Sequence, residues 1–107
     1  MNTANERATL IKLSLKRLQE QAKSIEQDIA RDSDFIEDYT EKLQHLITDT
    51  VRKSVEQQIA ERMRRVDNLR VALQMIALMQ ELLTQEQKRL ATVPQQASFE
   101  HQEGGVR

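Results

Sequence analysis

The 107-residue sequence has no cysteine and no tryptophan, and it contains only one proline, two glycines and three residues with aromatic rings. Without cysteine the chain forms neither a disulfide scaffold nor a zinc site with cysteine ligands. Two glycines are too few for a glycine-rich phosphate loop, and such sparse turn residues argue against a β-sheet fold. The 16 Lys and Arg residues nearly balance the 17 Asp and Glu residues. The net charge of −1 therefore argues against general attraction to nucleic acid or anionic membrane.

A long uninterrupted stretch of helix-forming residues dominates the chain. Residues 1–93 contain neither glycine nor proline and are rich in Leu, Gln, Glu, Arg, Lys and Ala, which lose little on entering a helix. Thr3 followed three residues later by Glu6 matches a capping box and predicts a helix start. Pro94 disfavours helical dihedral angles at the residue before it. The sequence therefore predicts a helical region that ends at this proline and a disordered polar tail over 94–107.

Apolar residues recur at alternating spacings of three and four, which is the pattern of a coiled-coil seam. The first seam consists of Ile11, Leu15, Leu18, Ala22, Ile25, Ile29, Ile36, Tyr39, Leu43 and Leu46, with Asp32 at one further position. The second seam consists of Val55, Ile59, Val66, Leu69, Leu73, Ile76, Leu83 and Leu90, with Arg62, Gln80 and Gln87 at its polar positions. From Leu46 to Val55 there are nine residues where an unbroken heptad requires seven, so the two seams do not join smoothly.

A turn is predicted between the two seams. The stretch 48–54 is β-branched and polar, and it is the weakest helix-forming segment before Pro94. The segment 32–34 is a rival break because Asp and Ser both cap helices, but the first seam continues through it in phase. We therefore predict an all-α fold, an elongated antiparallel two-helix coiled-coil hairpin over residues 1–93 with its turn near 48–54.

Charges are sorted along the chain in a way that favours this hairpin. Residues 26–41 carry a net charge of −6 and residues 52–70 a net charge of +3. A turn near residue 50 places residue n opposite about residue 100 − n, so the acidic block faces the basic block. The predicted charge pairing within the hairpin joins Asp32, Asp34, Glu37 and Asp38 to Arg62, Arg64 and Arg65. The alternative is that these charges are separately solvated on two outer faces.

The segment between Leu69 and Leu83 is apolar around almost the whole helix, which is typical of a helix inside a bundle. Left uncovered, it would form an exposed patch that marks an interaction site. The predicted partner-binding residues are Leu69, Leu73, Met75, Ile76, Met79, Leu82 and Leu83. They predict one or more helical protein partners that complete a bundle, as a hetero-oligomer in preference to a homodimer.

Residues that perform catalysis or bind metals form no recognisable pattern. His45 has Glu41 four residues before it and Asp49 four residues after it, which aligns three metal-ligand types on one helical face. No second nearby histidine and no cysteine supports a metal site there. We therefore expect no enzymatic activity, no cofactor, no metal and no small-molecule substrate.

The N-terminal residues are polar, and the most apolar window, 71–79, is far shorter than the ~20 residues of a membrane span. We expect a cytoplasmic protein with neither a signal peptide nor a membrane span. The leading functional expectation is a small structural or adaptor subunit of a hetero-oligomeric helical assembly. One alternative is a secretion-type chaperone that masks a partner's amphipathic helix. The other is a homodimeric regulator, for which the slightly acidic balance makes nucleic-acid binding the weaker option.

Overall fold

The structure is a computed structural model that describes the backbone of residues 3–46 and 48–103 and the side chains as far as residue 92. Over these ranges the chain consists of two long helices and has no strand. Helix α1 spans Thr3–Leu43, 41 residues, and helix α2 spans Asp49–Glu103, 55 residues. The predicted all-α class is confirmed.

Both predicted seams are the inner faces of their helices. Each of their positions is buried or half-buried, including the polar ones. The most buried apolar side chains of the described part are Ile11, Leu18, Ile59, Val66, Ile76 and Leu90, all of which are seam residues. The spacing of three and four therefore identified the buried stripe of each helix correctly, since residues at this spacing share one face.

The turn lies closer to the N-terminus than predicted. Helix α1 ends at Leu43 and α2 begins at Asp49, so most of the predicted turn at 48–54 belongs to the first turns of α2. Thr and Asp are weak inside a helix but favourable at its N-terminus, where their oxygens meet free amides and the positive end of the helix dipole. The residues that suggested a break are therefore the start of the second helix.

Hydrogen bonds stabilise the C-terminal end of α1 and the N-terminal end of α2. The amides of Gln44, His45 and Leu46 donate to carbonyls three residues earlier, at 3.1, 3.0 and 3.3 Å. These bonds satisfy carbonyls that the end of an α-helix leaves free. The amide of Arg52 donates to the Thr48 carbonyl at 3.0 Å, and its guanidinium donates to the Leu46 carbonyl at 3.3 Å. Arg52 thus links the start of α2 to the turn.

Two further sequence predictions concern helix breaks. The rival break at 32–34 does not occur, because α1 runs through these residues without interruption. The helix end predicted at Pro94 also differs from the structure, in which the backbone of α2 continues to Glu103. A proline inside a helix costs about 3 kcal/mol, but good helix formers follow it at 95–97. The side chains of the predicted disordered tail, 94–107, and the backbone of 104–107 lie outside the described residues.

The chain divides into two compact units, each with residues from both helices. One unit combines Met1–Glu20 with Ile76–Arg107, and the other is Gln21–Met75, which includes the turn. In the first unit, Arg7 Nη1 of α1 lies 3.9 Å from Glu86 Oε2 of α2. In the second, Asp32 of α1 contacts two arginines of α2. Neither helix, over the residues described, contains a stretch long and apolar enough to cross a membrane.

Candidate functional site

The most deeply buried side chain among the described residues is a charged one, Asp32, which is only 1% exposed. It occupies a position of the first seam where an apolar residue is expected. Arg62, at a polar position of the second seam, donates from Nη1 to Asp32 Oδ1 at 2.9 Å. Arg65 places Nε 3.1 Å from Asp32 Oδ2, an ion pair without the alignment of a hydrogen bond. Two positive charges thus neutralise one buried carboxylate.

An aromatic ring packs against one arginine of this ion pair. The guanidinium carbon of Arg62 lies 4.1 Å from the centroid of the Phe35 ring, which is a cation–π contact. Phe35 stacks on Tyr39, with ring centroids 4.1 Å apart and planes inclined by 13°. Phe35 thus covers part of the Arg62 side chain, which is 37% exposed. Asp32, Arg62, Arg65, Phe35 and Tyr39 form the polar lock of this unit.

A second charged contact lies one turn beyond the aromatic stack. Lys42 Nζ is 3.1 Å from Asp38 Oδ2 and 4.9 Å from the centroid of the Tyr39 ring. The hydrogen bond and the charge of Asp38 raise the pKa of Lys42 above its ordinary value. Because Lys42 stands in the last turn of α1, its charge also interacts favourably with the negative end of the helix dipole.

The structure brings together three of the seven residues in the predicted pairing set, namely Asp32, Arg62 and Arg65. The other four residues, Asp34, Glu37, Asp38 and Arg64, are exposed. The expected position opposite Asp32 was near residue 68, whereas the observed partner is residue 62. This offset follows from the earlier turn, because moving the turn toward the N-terminus moves every opposing position on α2 in the same direction.

The predicted partner-binding set divides into two groups. Leu69, Leu73, Ile76 and Leu83 are seam residues and are buried or half-buried within the chain itself, so they do not form a free surface. Met75, Met79 and Leu82 are exposed, with Met75 61% exposed. The sequence showed that this segment is apolar on all sides, but it did not show which side the chain covers by itself.

Four apolar residues form a continuous exposed line along α2, which we call the α2 outer stripe. Its members are Val71, Met75, Leu78 and Leu82, all exposed. Their spacings of four, three and four match the spacing of the second seam, and they lie on the face of α2 opposite to it. Val71 and Leu78 are not in the predicted partner-binding set, although the same spacing rule finds them.

Helix α1 also has exposed leucines on the face away from its seam. Leu10 is 63% exposed and Leu13 is 49% exposed, and both lie in the same compact unit as Leu78 and Leu82. We call these two residues the α1 outer pair. Sequence reasoning missed them because they fall outside the first seam and a single pair has no recognisable period. In this unit, therefore, both helices expose large apolar side chains on their outer faces.

An open cleft is present in each unit. In the unit that holds the polar lock, a cleft of about 340 Å³ has Ile36, Met63 and Val66 in its lining and is bordered by the charged residues Glu37, Asp67 and Arg70. In the other unit, a cleft of about 360 Å³ is lined by small and polar residues that include Ala8, Lys12 and Gln87. No group of three or more His, Asp or Glu residues within the described part could hold a metal ion. What the units present is therefore apolar helix surface and shallow grooves.

Comparisons of the chain with protein-family models, with curated proteins and with solved structures find no match.

Proposed function

We propose that this chain is a non-enzymatic coiled-coil interaction protein of the cytoplasm, a small structural or adaptor subunit of a hetero-oligomeric helical assembly. The observation that carries the proposal is the presence of large exposed apolar side chains on the outer faces of both helices within one compact unit. Exposed apolar patches with a helical period mark surfaces that other helices cover. A chain with two such faces is suited to joining partners.

The proposed architecture is an antiparallel hairpin that completes a helical bundle with partner chains. Contacts in each unit support it. Asp32 meets Arg62 and Arg65 in one unit, and Arg7 meets Glu86 in the other. Arg7, near the start of α1, meets a residue far along α2, whereas Asp32, late in α1, meets residues nearer the start of α2, as helices of opposite direction require.

A chaperone is the second candidate function, and the cleft beside the polar lock favours it. Met63 lines this cleft and is half exposed, and methionine adapts to partners of different shape. The cleft would accept side chains from one face of an amphipathic helix and would leave the α1 outer pair and the α2 outer stripe uncovered. The adaptor accounts for these exposed leucines, and we therefore favour it over the chaperone.

The hypothesis of nucleic-acid binding is weakened because several basic residues already make contacts within the chain. Arg62 and Arg65 neutralise Asp32, and Arg52 hydrogen-bonds to the turn. These contacts engage three of the arginines that a basic recognition surface would need. A regulator of nucleic acid would show affinity that falls steeply with salt, which the adaptor does not require.

The test is recovery of the full chain from its own cells under native conditions, followed by native mass spectrometry. We expect a stoichiometric complex with at least one different helical protein that survives moderate salt. In the variant with Leu10→Glu and Leu13→Glu the complex should be lost, because two charges replace the α1 outer pair. The matched control Gln19→Glu and Gln21→Glu adds the same charge at exposed polar positions and should keep the complex.

Three outcomes count against the adaptor. Recovery of the chain without any other protein would refute it. Release of the bound protein on folding would favour the chaperone instead. Retention of the complex by the leucine variant would show that the α1 outer pair is not a binding surface.

A further inference from the structure

The α2 outer stripe has defined ends. Beyond Val71 the next position of the same line is Asn68, and beyond Leu82 it is Gln85. One position further out stand Arg64 and Arg89, which are both exposed. The apolar surface is therefore four residues long and is closed at each end by a polar and then a charged side chain. Such a short, closed seam favours a partner of the same length.

We propose that the α2 outer stripe packs antiparallel against the same stripe of a second copy of this chain. A two-fold axis midway along the stripe places Val71 opposite Leu82 of the second copy. It places Met75 opposite Leu78 of the second copy, and symmetry repeats both layers. The result is a four-layer seam of heptad spacing with a large side chain in each layer. The pairing rests on the proposed role of the chain as a helix-binding protein.

Charges on one flank of the stripe match in this arrangement. In an antiparallel pair, flanking positions on the same side of the seam face each other. Asp67 then lies opposite Lys88 of the second copy, and the two-fold axis generates this pair twice. Both residues are exposed. Complementary flanking charges of this kind set the orientation of helix pairs.

The other flank matches in the same way. Arg65 lies opposite Glu86 of the second copy, again twice. These two residues already have partners in their own chain, Asp32 for Arg65 and Arg89 for Glu86. Their intermolecular pairs are therefore shared contacts, and Asp67 and Lys88 are the better pair to exchange in an experiment.

A parallel second copy does not fit. Parallel helices bring a flanking residue opposite the one five positions later on the other chain. Glu81 then faces Glu86 of the second copy, twice, and Asp67 faces Ala72. Like charges at these positions destabilise the pair, and no opposite charges compensate. The antiparallel second copy is the arrangement in which the flanking charges attract.

The arginines at the two ends limit the seam. In the antiparallel arrangement Arg64 stands opposite Arg89 of the second copy, beyond the layer formed by Asn68 and Gln85. Both arginine side chains reach solvent, so their repulsion is screened. Sliding the two helices by one heptad brings Arg64 opposite Leu82 in one direction and Arg89 opposite Val71 in the other, so an arginine opposes either of these registers.

The first experiment measures the mass of the full purified chain by light scattering over a concentration series, with circular dichroism on the same samples. We expect twice the 12.5 kDa chain mass. Leu78→Glu should return the mass to that of one chain, by weakening association at least about a hundredfold, because it buries a charge in two layers. Val51→Glu, at an exposed apolar position of α2 outside the stripe, is the control and should remain a dimer.

The second experiment exchanges flanking charges. Asp67→Lys should weaken the dimer about tenfold, because two attractive pairs become repulsive. Adding Lys88→Asp should restore the original affinity, since each pair is again of opposite sign. Coupling of this kind is specific to the antiparallel register, because in the parallel one Asp67 does not face Lys88.

The remaining outcomes overturn the inference in different ways. A chain that is monomeric at all concentrations excludes the second copy and leaves the adaptor standing, with the stripe free for a different protein. A dimer that survives Leu78→Glu shows that association uses another surface. A dimer lost by Leu78→Glu but without coupling between residues 67 and 88 excludes the antiparallel register.

Discussion

Asp32 and Arg62 are the charged residues of the two seams, and they meet each other, with Arg62 Nη1 2.9 Å from Asp32 Oδ1. Each occupies a position where the heptad pattern expects an apolar side chain. Shifting α2 by one heptad would place Val55 or Leu69 opposite Asp32 and leave a buried carboxylate without its main partner. A buried polar pair of this kind favours one register over its neighbours.

Removing the carboxylate should destabilise the chain. In Asp32→Asn the side chain stays buried, while Arg62 and Arg65 lose their common counter-charge. Breaking a fully buried ion pair costs about 3–5 kcal/mol. Because the two arginines are 37% and 52% exposed and water replaces part of the contact, we expect about 1–2 kcal/mol. Urea denaturation followed by circular dichroism at fixed protein concentration measures the loss.

Asp34→Asn is the control for that substitution. Asp34 is exposed, so the same change there should alter the free energy of unfolding by less than about 0.5 kcal/mol. Equal effects at both positions would show that the contacts of Asp32 do not contribute to stability.

Replacing both charged seam residues by leucine should be tolerated. In the double variant Asp32→Leu and Arg62→Leu, two apolar side chains take the seam positions where the charged residues meet. Exchanging a buried ion pair for apolar residues is often neutral or stabilising by about 1–4 kcal/mol. We expect the urea midpoint to equal or exceed that of the unmodified chain, while Arg62→Leu alone lowers it. A double variant no more stable than the single one would contradict the pairing of these two positions.

The two adjacent arginines Arg64 and Arg65 should differ in their effect on stability. Arg65→Gln removes the ion pair with Asp32 and should cost about 0.5–1 kcal/mol. Arg64 is exposed on the outer face of α2, so Arg64→Gln should leave the free energy of unfolding nearly unchanged. Thermal denaturation of the two variants side by side gives the comparison. The opposite order would mean that Arg64 is the residue that pairs across the helices.

The lowered pKa of Glu86 predicts how the stability of the fold changes at acidic pH. The hydrogen bond from Arg89, with smaller contributions from the charges of Arg89 and Arg7, holds the pKa of Glu86 below its ordinary value of 4.5. A lowered folded-state pKa stabilises the fold above pH 4.5, and this contribution disappears as the pH falls through the folded-state pKa. Carboxyl-detected NMR titration should show the pKa of Glu86 rising in Arg89→Gln, and rising less in Arg7→Gln. Equal shifts in both variants would contradict the leading role of Arg89.

The sequence predicts the buried faces well because burial follows a simple period. Every described position of the two seams, from Ile11 to Leu90, lies on an inner face. This success includes Asp32 and Arg62, which the pattern placed correctly although their side chains are charged. A repeated spacing of three and four is a property of the whole helix, so single exceptions do not obscure it.

The turn and the charge partners were predicted less well, and for one shared reason. The residues Thr48, Asp49 and Thr50 favour both a break and a helix start, so local propensity did not decide between the two. An error of five residues in the turn moves all opposing positions on α2. Asp32 was therefore assigned to the correct block of arginines but not to its actual partners.

The exposed apolar faces could be identified only from the structure, and the reason differs from that for the turn. The segment 69–83 is apolar on all sides, and only the position of α1 decides which residues remain uncovered. Leu10 and Leu13 gave no periodic signal, because two residues are too few to define a line. Sequence pattern thus finds an unusual apolar segment, while packing decides which of its side chains are free for a partner.

The turn between α1 and α2 is the one interruption of helix within the described residues, and Lys42 and Arg52 flank it on either side. Lys42 stands in the last turn of α1 and Arg52 in the first turns of α2, and the ends of helices open locally more readily than their interiors, which exposes the backbone to a protease. Trypsin at low concentration should therefore cleave first at these two residues and yield one fragment from each helix. Whether those fragments stay together after the peptide link is gone reports how strongly the seams and the polar lock hold the helices by themselves. The position of this turn thus makes the chain a natural system for fragment complementation.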